Sequence, residues 1–144
     1  GEYASRGANA VDNALAEGIY LCNVERNGDV VEMTSYAPLL CKDGYSNWQP
    51  DMIYFDNNNV RASESYKMQK MFGQHAGDLY ISSVLSLPDA LKKYVGTSVV
   101  KDSKSGKTWL KVVNALPCTL KLSVSGLGNK QVTIAGRSAQ VFEL

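Results

Sequence analysis

The chain has 144 residues, enough for one ordinary domain or two small units sharing an interface, whereas a complete (β/α)8 barrel needs at least about 200. Hydrophobic residues make up 44% and charged residues 20%, as in ordinary globular proteins. Fifteen basic and fourteen acidic residues leave a formal charge of +1, and no apolar run approaches the length of a membrane span, so we expect neither nucleic acid nor a membrane as partner.

The first predicted element is a helix over residues 9–27. Asn9 followed by Asp12 can cap its start, and Gly28 after a basic last turn suits its end. The apolar residues recur with the spacing of one helix face, at Val11, Leu15, Ile19 and Cys22.

Two strand-like runs follow the helix. Residues 30–37 form a mostly apolar run, which predicts a buried strand. A polar loop, 42–50, leads to a shorter run at 51–55. The stretch 56–59, Asp-Asn-Asn-Asn, offers oxygen atoms to a cation but lacks the spaced acidic residues of a calcium loop, so a turn is favoured.

A second helix is predicted over 63–76, opened by Ser63-Glu64, with its apolar face at Met68, Met71, Phe72 and His75. From residue 79 onward the pattern changes to short β runs. These predict an antiparallel β-sandwich, with a hairpin loop at 102–107 whose glycine supplies a positive φ. The stretch 88–95 stays open between a helical turn and a loop. The β runs are 79–86, 97–101, 108–113, 119–124, 131–135 and 139–143.

Neither a metal nor a cofactor is expected. The three cysteines form no CxxC pair, so neither a zinc site nor a disulfide framework is indicated, and their odd number leaves at least one free thiol. The single histidine, His75, falls on an apolar helix face and is interpreted as a packing residue.

Four segments of the chain carry a resemblance to known proteins. They are Gly1-Glu2-Tyr3-Ala4-Ser5, Asn13 to Glu17 continuing to 24–31, Met33 to Leu39, and Trp48 to Phe55. In register, they resemble the end of the catalytic domain of family 51 α-L-arabinofuranosidases. The 66–73 helix, with its Gln69, and the hairpin ending at 110–114 continue the match in the same order. The likeness is strong to residue 78 and looser beyond it.

This resemblance implies an α+β fold in two parts. Residues 1–78 would be the last βα units of a (β/α)8 barrel, and residues 79–144 an antiparallel, jelly-roll-like β-sandwich. It also implies a retaining glycosidase that removes terminal non-reducing α-L-arabinofuranosyl residues from arabinose-containing polysaccharides or oligosaccharides. A secreted or periplasmic location is implied in the same way. Within the barrel part, 1–5 would end strand seven, 9–27 form helix seven, 30–36 strand eight and 63–76 helix eight.

The resemblance maps the catalytic nucleophile onto Glu2. Retaining hydrolysis uses two carboxylates about 5–5.5 Å apart, and the acid/base glutamate belongs to an earlier strand outside this sequence. The isolated chain is therefore expected to be inactive. Tyr36, Trp48 and Asn47 are candidate substrate contacts, because aromatic faces and polar side chains suit sugars, although the two aromatics could equally be packing residues. Glu32 is expected to serve as a lateral or interhelical partner.

Two other classes stay open on the residues alone. A non-catalytic β-sandwich that binds carbohydrate would have no use for two amphipathic helices and a buried strand in its first 78 residues. A structural interaction module would show no affinity for glycans. If the helices and strand eight normally pack against further barrel elements, the chain alone should expose apolar surface and self-associate.

Overall fold

The computed structural model describes residues 2–5 and 10–144. The predicted cap at Asn9 lies outside the described residues. In the described parts no helix combines the length and apolar character needed to cross a bilayer. The helices are α1 (Ala10–Arg26), α2 (Glu64–Gln74) and the single turn α3 (Asp89–Lys92). The strands are β1 (Glu2–Tyr3), β2 (Ser35–Tyr36), β3 (Leu40–Lys42), β4 (Ile53–Phe55), β5 (Val60–Ala62), β6 (Leu79–Tyr80), β7 (Val95–Lys101), β8 (Thr108–Asn114), β9 (Leu120–Val124), β10 (Lys130–Ile134) and β11 (Ser138–Glu143).

The two predicted helices are confirmed. Ser63 caps α2, since its Oγ accepts a hydrogen bond from the Tyr66 backbone N–H at 3.1 Å. The end of α1 differs from the prediction, because Gly28 does not take a positive φ. Instead, the Asn27 side chain donates to the Asn23 carbonyl at 2.7 Å, and its own carbonyl accepts from Val31 N at 2.9 Å.

The largest sheet is antiparallel, with the strand order β11-β8-β7-β6. β7 and β8 pair along their whole length and are joined by the predicted hairpin loop, in which Gly106 has a φ of +76°. β9 and β10 form a separate antiparallel hairpin. The open stretch 88–95 contains one helical turn, α3, before β7 begins.

This four-stranded sheet is buried on both faces. On one face Leu110 and Val112 of β8 pack with Val132 and Ile134 of β10, which forms the core of the sandwich. On the other face Val113 packs with residues of α1 and α2, namely Ala14, Leu15, Leu21, Cys22, Met68 and Phe72. Because neighbouring residues of a strand point to opposite faces, β8 belongs to both cores at once.

Two small sheets complete the fold. β1 and β2 pair in parallel, and β3, β4 and β5 form a sheet in which β3 runs parallel to β4. The predicted turn at 56–59 joins β4 to β5, and the Asp56 carboxylate accepts from the backbone N–H groups of Asn58 and Asn59 at 2.7 Å. Within the described residues no cluster of histidine, cysteine and acidic side chains could hold a metal ion.

Two predicted strands are wrong over most of their length. In the run 30–37 only Ser35–Tyr36 forms a strand. The backbone N–H groups of Val30 and Val31 instead donate to the Asn27 carbonyl at 3.0 and 2.9 Å, which keeps this part of the run in the turn after α1. Val30 and Met33, expected to be buried, are 73% and 79% exposed. In the run 79–86 only Leu79–Tyr80 pairs with β7, and Val84 is 95% exposed. Residues 81–86 still alternate between partly buried and exposed side chains, and the Ile81 backbone N–H donates to the Val99 carbonyl at 2.8 Å, although the segment is not a strand.

α1 lies against β7 at Gly96, and this close approach allows a test. A Cβ atom at Gly96 would lie 3.0 Å from the Ile19 Cα atom and 3.2 Å from the Cys22 Sγ atom. We therefore expect Gly96→Ala to lower the free energy of unfolding by about 1–3 kcal/mol through overpacking. Gly73→Ala is the matched control, since no atom lies within 4 Å of its added methyl group. It should stabilise α2 by about 0.5–1 kcal/mol. Urea unfolding measures both, and an unchanged Gly96→Ala midpoint would contradict the prediction.

The thiols differ in accessibility. All three cysteines are free, with Cys22 and Cys41 buried and Cys118 exposed. Burial raises the pKa of the Cys22 thiol to about 12, so its reactive thiolate is scarce near neutral pH. We expect Ellman's reagent to modify one thiol rapidly in the folded chain and all three in denaturant. Cys118→Ser should abolish the rapid phase, and a rapid phase that survives this change would contradict the assignment.

Candidate functional site

The backbone of Glu2, the predicted nucleophile, lies in β1. Glu2 pairs in parallel register with Ser35, and Tyr3 pairs with Tyr36. Beyond β2, the Ala37 backbone N–H donates to the Tyr3 carbonyl at 3.1 Å. The side chain of Glu2 lies outside the described part of the chain. The structure thus places the predicted nucleophile strand directly beside β2, with α1 connecting the two.

A cluster of tyrosines supports β1 from the side of the helices. The Tyr3 ring lies 4.7 Å from the Tyr20 ring of α1 and 5.8 Å from the Tyr36 ring of β2, centroid to centroid. The Gln69 side-chain amide, on α2, donates to the Tyr3 hydroxyl. Burial raises the pKa of the Tyr3 hydroxyl well above its ordinary value. Tyr3 is therefore a neutral phenol held by three different elements.

The same region contains a buried carboxyl group, that of Glu17. Its side chain projects from α1, the residue is 2% exposed, and its Oε1 atom accepts from the Ser5 backbone N–H at 2.9 Å. Burial raises the pKa of Glu17, and the hydrogen bond from the Ser5 backbone N–H opposes that increase. The Oε2 atom is buried without a hydrogen-bond partner among the described residues. Sequence reasoning missed this residue. The signal was available, because Glu17 falls between buried apolar positions of the helix.

Tyr36 is buried in the tyrosine cluster rather than open to a ligand. Only 7% of its surface is exposed, and burial raises the pKa of its hydroxyl. Since successive residues of a strand face opposite sides of a sheet, Ser35 belongs to the face directed away from the helices. A substrate contact for Tyr36 stays a prediction, which its burial disfavours.

The other two predicted substrate contacts, Asn47 and Trp48, lie on the exposed loop between β3 and β4. Trp48 is 45% exposed, and the Ser46 hydroxyl accepts from its backbone N–H at 3.0 Å. At the base of the loop Asp51 is buried, and its backbone N–H donates to the Tyr54 hydroxyl at 2.8 Å. The exposed Trp48 side chain therefore lies on a loop whose end is held by the hydrogen bond between Asp51 and Tyr54. Both substrate contacts stay predictions.

Two other side chains can be placed. Glu32, the predicted lateral partner, is exposed and lies before β2, outside any strand. His75 stacks edge-on against Trp109 of β8 at 4.8 Å, and its Nδ1 atom is 2.8 Å from the Met71 carbonyl oxygen. The interpretation of His75 as a packing residue is confirmed.

A buried ion pair joins α1 to the large sheet. Lys111, on β8, has a fully buried side chain, and its Nζ atom contacts the Glu25 carboxylate of α1. The Ser98 hydroxyl of β7 donates to the second oxygen of that carboxylate. The ammonium group also lies 5.0 Å from the centre of the Phe72 ring. Two glutamates therefore link α1 to other elements: Glu17 to the backbone after β1, and Glu25 to the large sheet.

Comparison with known proteins assigns a family to this arrangement. A family model described as the α-L-arabinofuranosidase C-terminal domain matches residues 2–141. The chain belongs to this family. The predicted resemblance to family 51 α-L-arabinofuranosidases is thereby confirmed.

Individual members of the α-L-arabinofuranosidase family also match the chain, in agreement with the family model. The chain is 43% identical over 90 residues to an extracellular exo-α-L-arabinofuranosidase of Streptomyces chartreusis, covering 62% of this chain and 11% of the relative. It is 33% identical over 134 residues to α-L-arabinofuranosidase 2 of Arabidopsis thaliana, covering 88% and 19%. A solved, arabinose-bound family 51 α-L-arabinofuranosidase superposes with a TM-score of 0.71 at 27% identity, covering 93% of this chain and 25% of that one. The chain thus spans a quarter or less of these relatives.

The coarse fold prediction is also confirmed. The chain is a mixed α+β structure with antiparallel sheets, similar to a solved family 51 α-L-arabinofuranosidase. The finer division into barrel end and jelly-roll-like sandwich, with its boundary after residue 78, stays a prediction.

Proposed function

We propose that this sequence is the C-terminal part of a longer retaining α-L-arabinofuranosidase. The enzyme would hydrolyse terminal non-reducing α-L-arabinofuranosyl residues of arabinose-containing polysaccharides or oligosaccharides. The observation that carries the proposal is the match of residues 2–141 to the C-terminal domain family. That the chain spans only 11% of the Streptomyces relative supports a longer polypeptide.

The order and pairing of the first elements support a barrel end over residues 1–78. β1, α1 and β2 follow one another along the chain, and α2 comes after the small β3–β5 sheet. β1 and β2 are parallel neighbours joined through a helix, which is the βαβ unit from which such barrels are built. Residues 79–144 would then form the C-terminal sandwich, with β9 and β10 facing the large sheet. A carbohydrate-binding or structural module, the alternative, would not require this βαβ unit.

In this proposal Glu2 is the nucleophile. Its carboxylate would attack the anomeric carbon while the acid/base glutamate, from an earlier part of the enzyme, protonates the departing glycosidic oxygen. Water, deprotonated by the same acid/base glutamate, would then cleave the covalent arabinosyl ester and regenerate Glu2. Tyr36, Trp48 and Asn47 remain candidates for substrate contact. The chain alone would be inactive, because one of the two carboxylates is supplied from elsewhere.

The proposal is tested by comparing the full-length enzyme with the 144-residue chain on an aryl α-L-arabinofuranoside. We expect hydrolysis by the full-length enzyme only, with proton NMR showing the α anomer of arabinose as the first product. A β anomer formed first would exclude the retaining mechanism. If calorimetry showed that the full-length protein binds arabino-oligosaccharides, and no hydrolysis of them could be detected, the carbohydrate-binding alternative would be favoured instead.

We also propose that the full-length protein acts outside the cytoplasm, either secreted or in the periplasm. Support comes from the Streptomyces relative, which is described as extracellular. Fractionation of the producing cells tests this proposal, and activity confined to the cytoplasm would contradict it.

The chain alone is expected to self-associate. Large apolar side chains lie exposed on the segment from the end of α1 to β5, and in the proposed enzyme further barrel elements would cover them. We expect a dimer or larger species by light scattering, together with binding of a hydrophobic dye that the full-length enzyme does not bind. A monomer without dye binding would contradict this expectation. The exposed residues are Val30 (73%), Met33 (79%), Leu39 (51%), Leu40 (58%) and Val60 (74%).

A further inference from the structure

Glu17 is a buried acidic residue with no direct part in the proposed chemistry. It is 2% exposed and lies on the face of α1 that packs inward, between the buried residues Ala14 and Leu21. Burying a carboxyl group is costly unless hydrogen bonds compensate it, and an apolar residue of similar size would fill the same space at lower cost. A carboxyl group at this position therefore calls for a specific reason.

That reason lies in what the carboxyl group holds. Its Oε1 atom accepts from the backbone N–H of Ser5 at 2.9 Å. Ser5 follows β1 by two residues, so the hydrogen bond fixes the chain where it leaves the strand. Its Oε2 atom is also buried and has no hydrogen-bond partner among the described residues, so the bond from Ser5 is the described hydrogen bond of this carboxyl group.

β1 depends on contacts of this kind because it has little pairing of its own. It is two residues long, and its described pairing is with β2. Its position on the helix side is set by the Tyr3 ring against Tyr20 and Tyr36 and by the Gln69 amide on the Tyr3 hydroxyl. Among the contacts that side chains make with this segment, the hydrogen bond from Ser5 to Glu17 acts directly on the backbone.

We propose that Glu17 is a positioning residue, which anchors the backbone after β1 and thereby sets the position of the strand that carries Glu2. This inference rests on the proposed function, in which Glu2 is the nucleophile. A nucleophile must stand within bonding distance of the anomeric carbon along the line of attack, and a displacement of about 1 Å can cost about 10²-fold in rate. Anchoring a short strand from the helix behind it supplies that accuracy.

The test uses the full-length enzyme with two substitutions. Glu17→Leu removes the acceptor and keeps the volume, so the protein should still fold while kcat falls about 10²-fold with little change in KM. Glu17→Gln keeps an oxygen that can accept from Ser5, so it should retain most of kcat. Glu25→Gln is the matched control, because Glu25 lies on the same helix but contacts the sandwich sheet. It should lower the thermal midpoint and leave kcat unchanged.

Each result decides the question. Parent-like kcat in Glu17→Leu, or an equal loss of kcat in Glu17→Leu and Glu25→Gln, would overturn the positioning role. If Glu17→Leu fails to accumulate, Glu17→Gln decides alone, since a 10²-fold loss with the acceptor in place would show that the hydrogen bond is not the anchor. Failure of the proposed function is seen separately, as full activity of Glu2→Ala.

Discussion

Replacing Glu2 with alanine in the full-length enzyme should lower kcat by about 10⁴-fold or more. The reason is that the double displacement has no route without its nucleophile, although the acid/base glutamate and the bound sugar remain in place. Azide is small and anionic and can occupy the space left by the missing carboxylate. Added azide should therefore restore part of the rate for an aryl substrate with a good leaving group.

The product identifies the mechanism. Azide attacks once, from the face that Glu2 would have used, so the trapped sugar should be the β-L-arabinofuranosyl azide, with inverted configuration. Glu32→Ala is the matched control, because Glu32 is the exposed acidic residue just before β2 and should leave kcat unchanged. Full activity in Glu2→Ala would show that β1 is not the nucleophile strand, and the chain would then be treated as a binding or structural module.

Replacing Lys111 with alanine should lower the free energy of unfolding of the chain by about 3 kcal/mol. Its ammonium group is fully buried and neutralises the Glu25 carboxylate, whose side chain is 20% exposed. Removing the lysine leaves that carboxylate with the Ser98 hydroxyl and limited access to water. The lysine stem also fills space beside Phe72, so its loss adds a cavity.

Urea unfolding measures the effect, and two variants interpret it. Lys121→Ala removes an exposed lysine from β9 and should change stability by less than about 0.5 kcal/mol. The double substitution Glu25→Leu with Lys111→Met replaces the whole pair by apolar groups and should recover most of the loss. If the double variant were as unstable as Lys111→Ala, the cost would come from packing rather than from an unpaired charge.

Helices and long antiparallel strands could be predicted because each carries its own pattern. α2 begins at the predicted Ser63 cap, and its predicted core residues Met68 and Phe72 are buried. β8 was predicted over 108–113 and ends one residue later, at Asn114. In both cases the spacing of apolar residues within one element determines which side faces the core.

Short strands could not be predicted in the same way. β5 consists of Val60–Ala62, and all three residues are exposed, so no apolar alternation marks it. Its existence depends on pairing with β4 across the Asp56 turn. Conversely, Val30 and Met33 have strand-like neighbours in sequence, yet both are exposed. The hydrogen bonds from Val30 and Val31 to the Asn27 carbonyl hold the start of this run in a turn, which the apolar pattern does not reveal.

The candidate site shows the same limit. The position of Glu2 on the end strand was inferred from a family resemblance, not from residue type. Glu17 and Lys111, which the structure identifies as the buried charges around α1, are ordinary surface residues by composition. What distinguishes them from surface residues is their position: Glu17 lies on the inward face of a helix, and Lys111 lies within an apolar strand. What each one touches depended on long-range contacts, Ser5 for Glu17 and Glu25 for Lys111.

The large sheet is shared by the two cores, and this has a consequence for exchanging parts between related enzymes. A recombination point after residue 78 would separate α1 and α2 from the sheet they cover. It would leave Val113 and the Lys111 ammonium group, both fully buried here, to be matched by foreign helices. Chimaeras joined there should express poorly, whereas those that transfer α1 through β11 together keep every partner of that sheet face. The whole segment should therefore be exchanged as one unit, despite its mixed appearance in sequence.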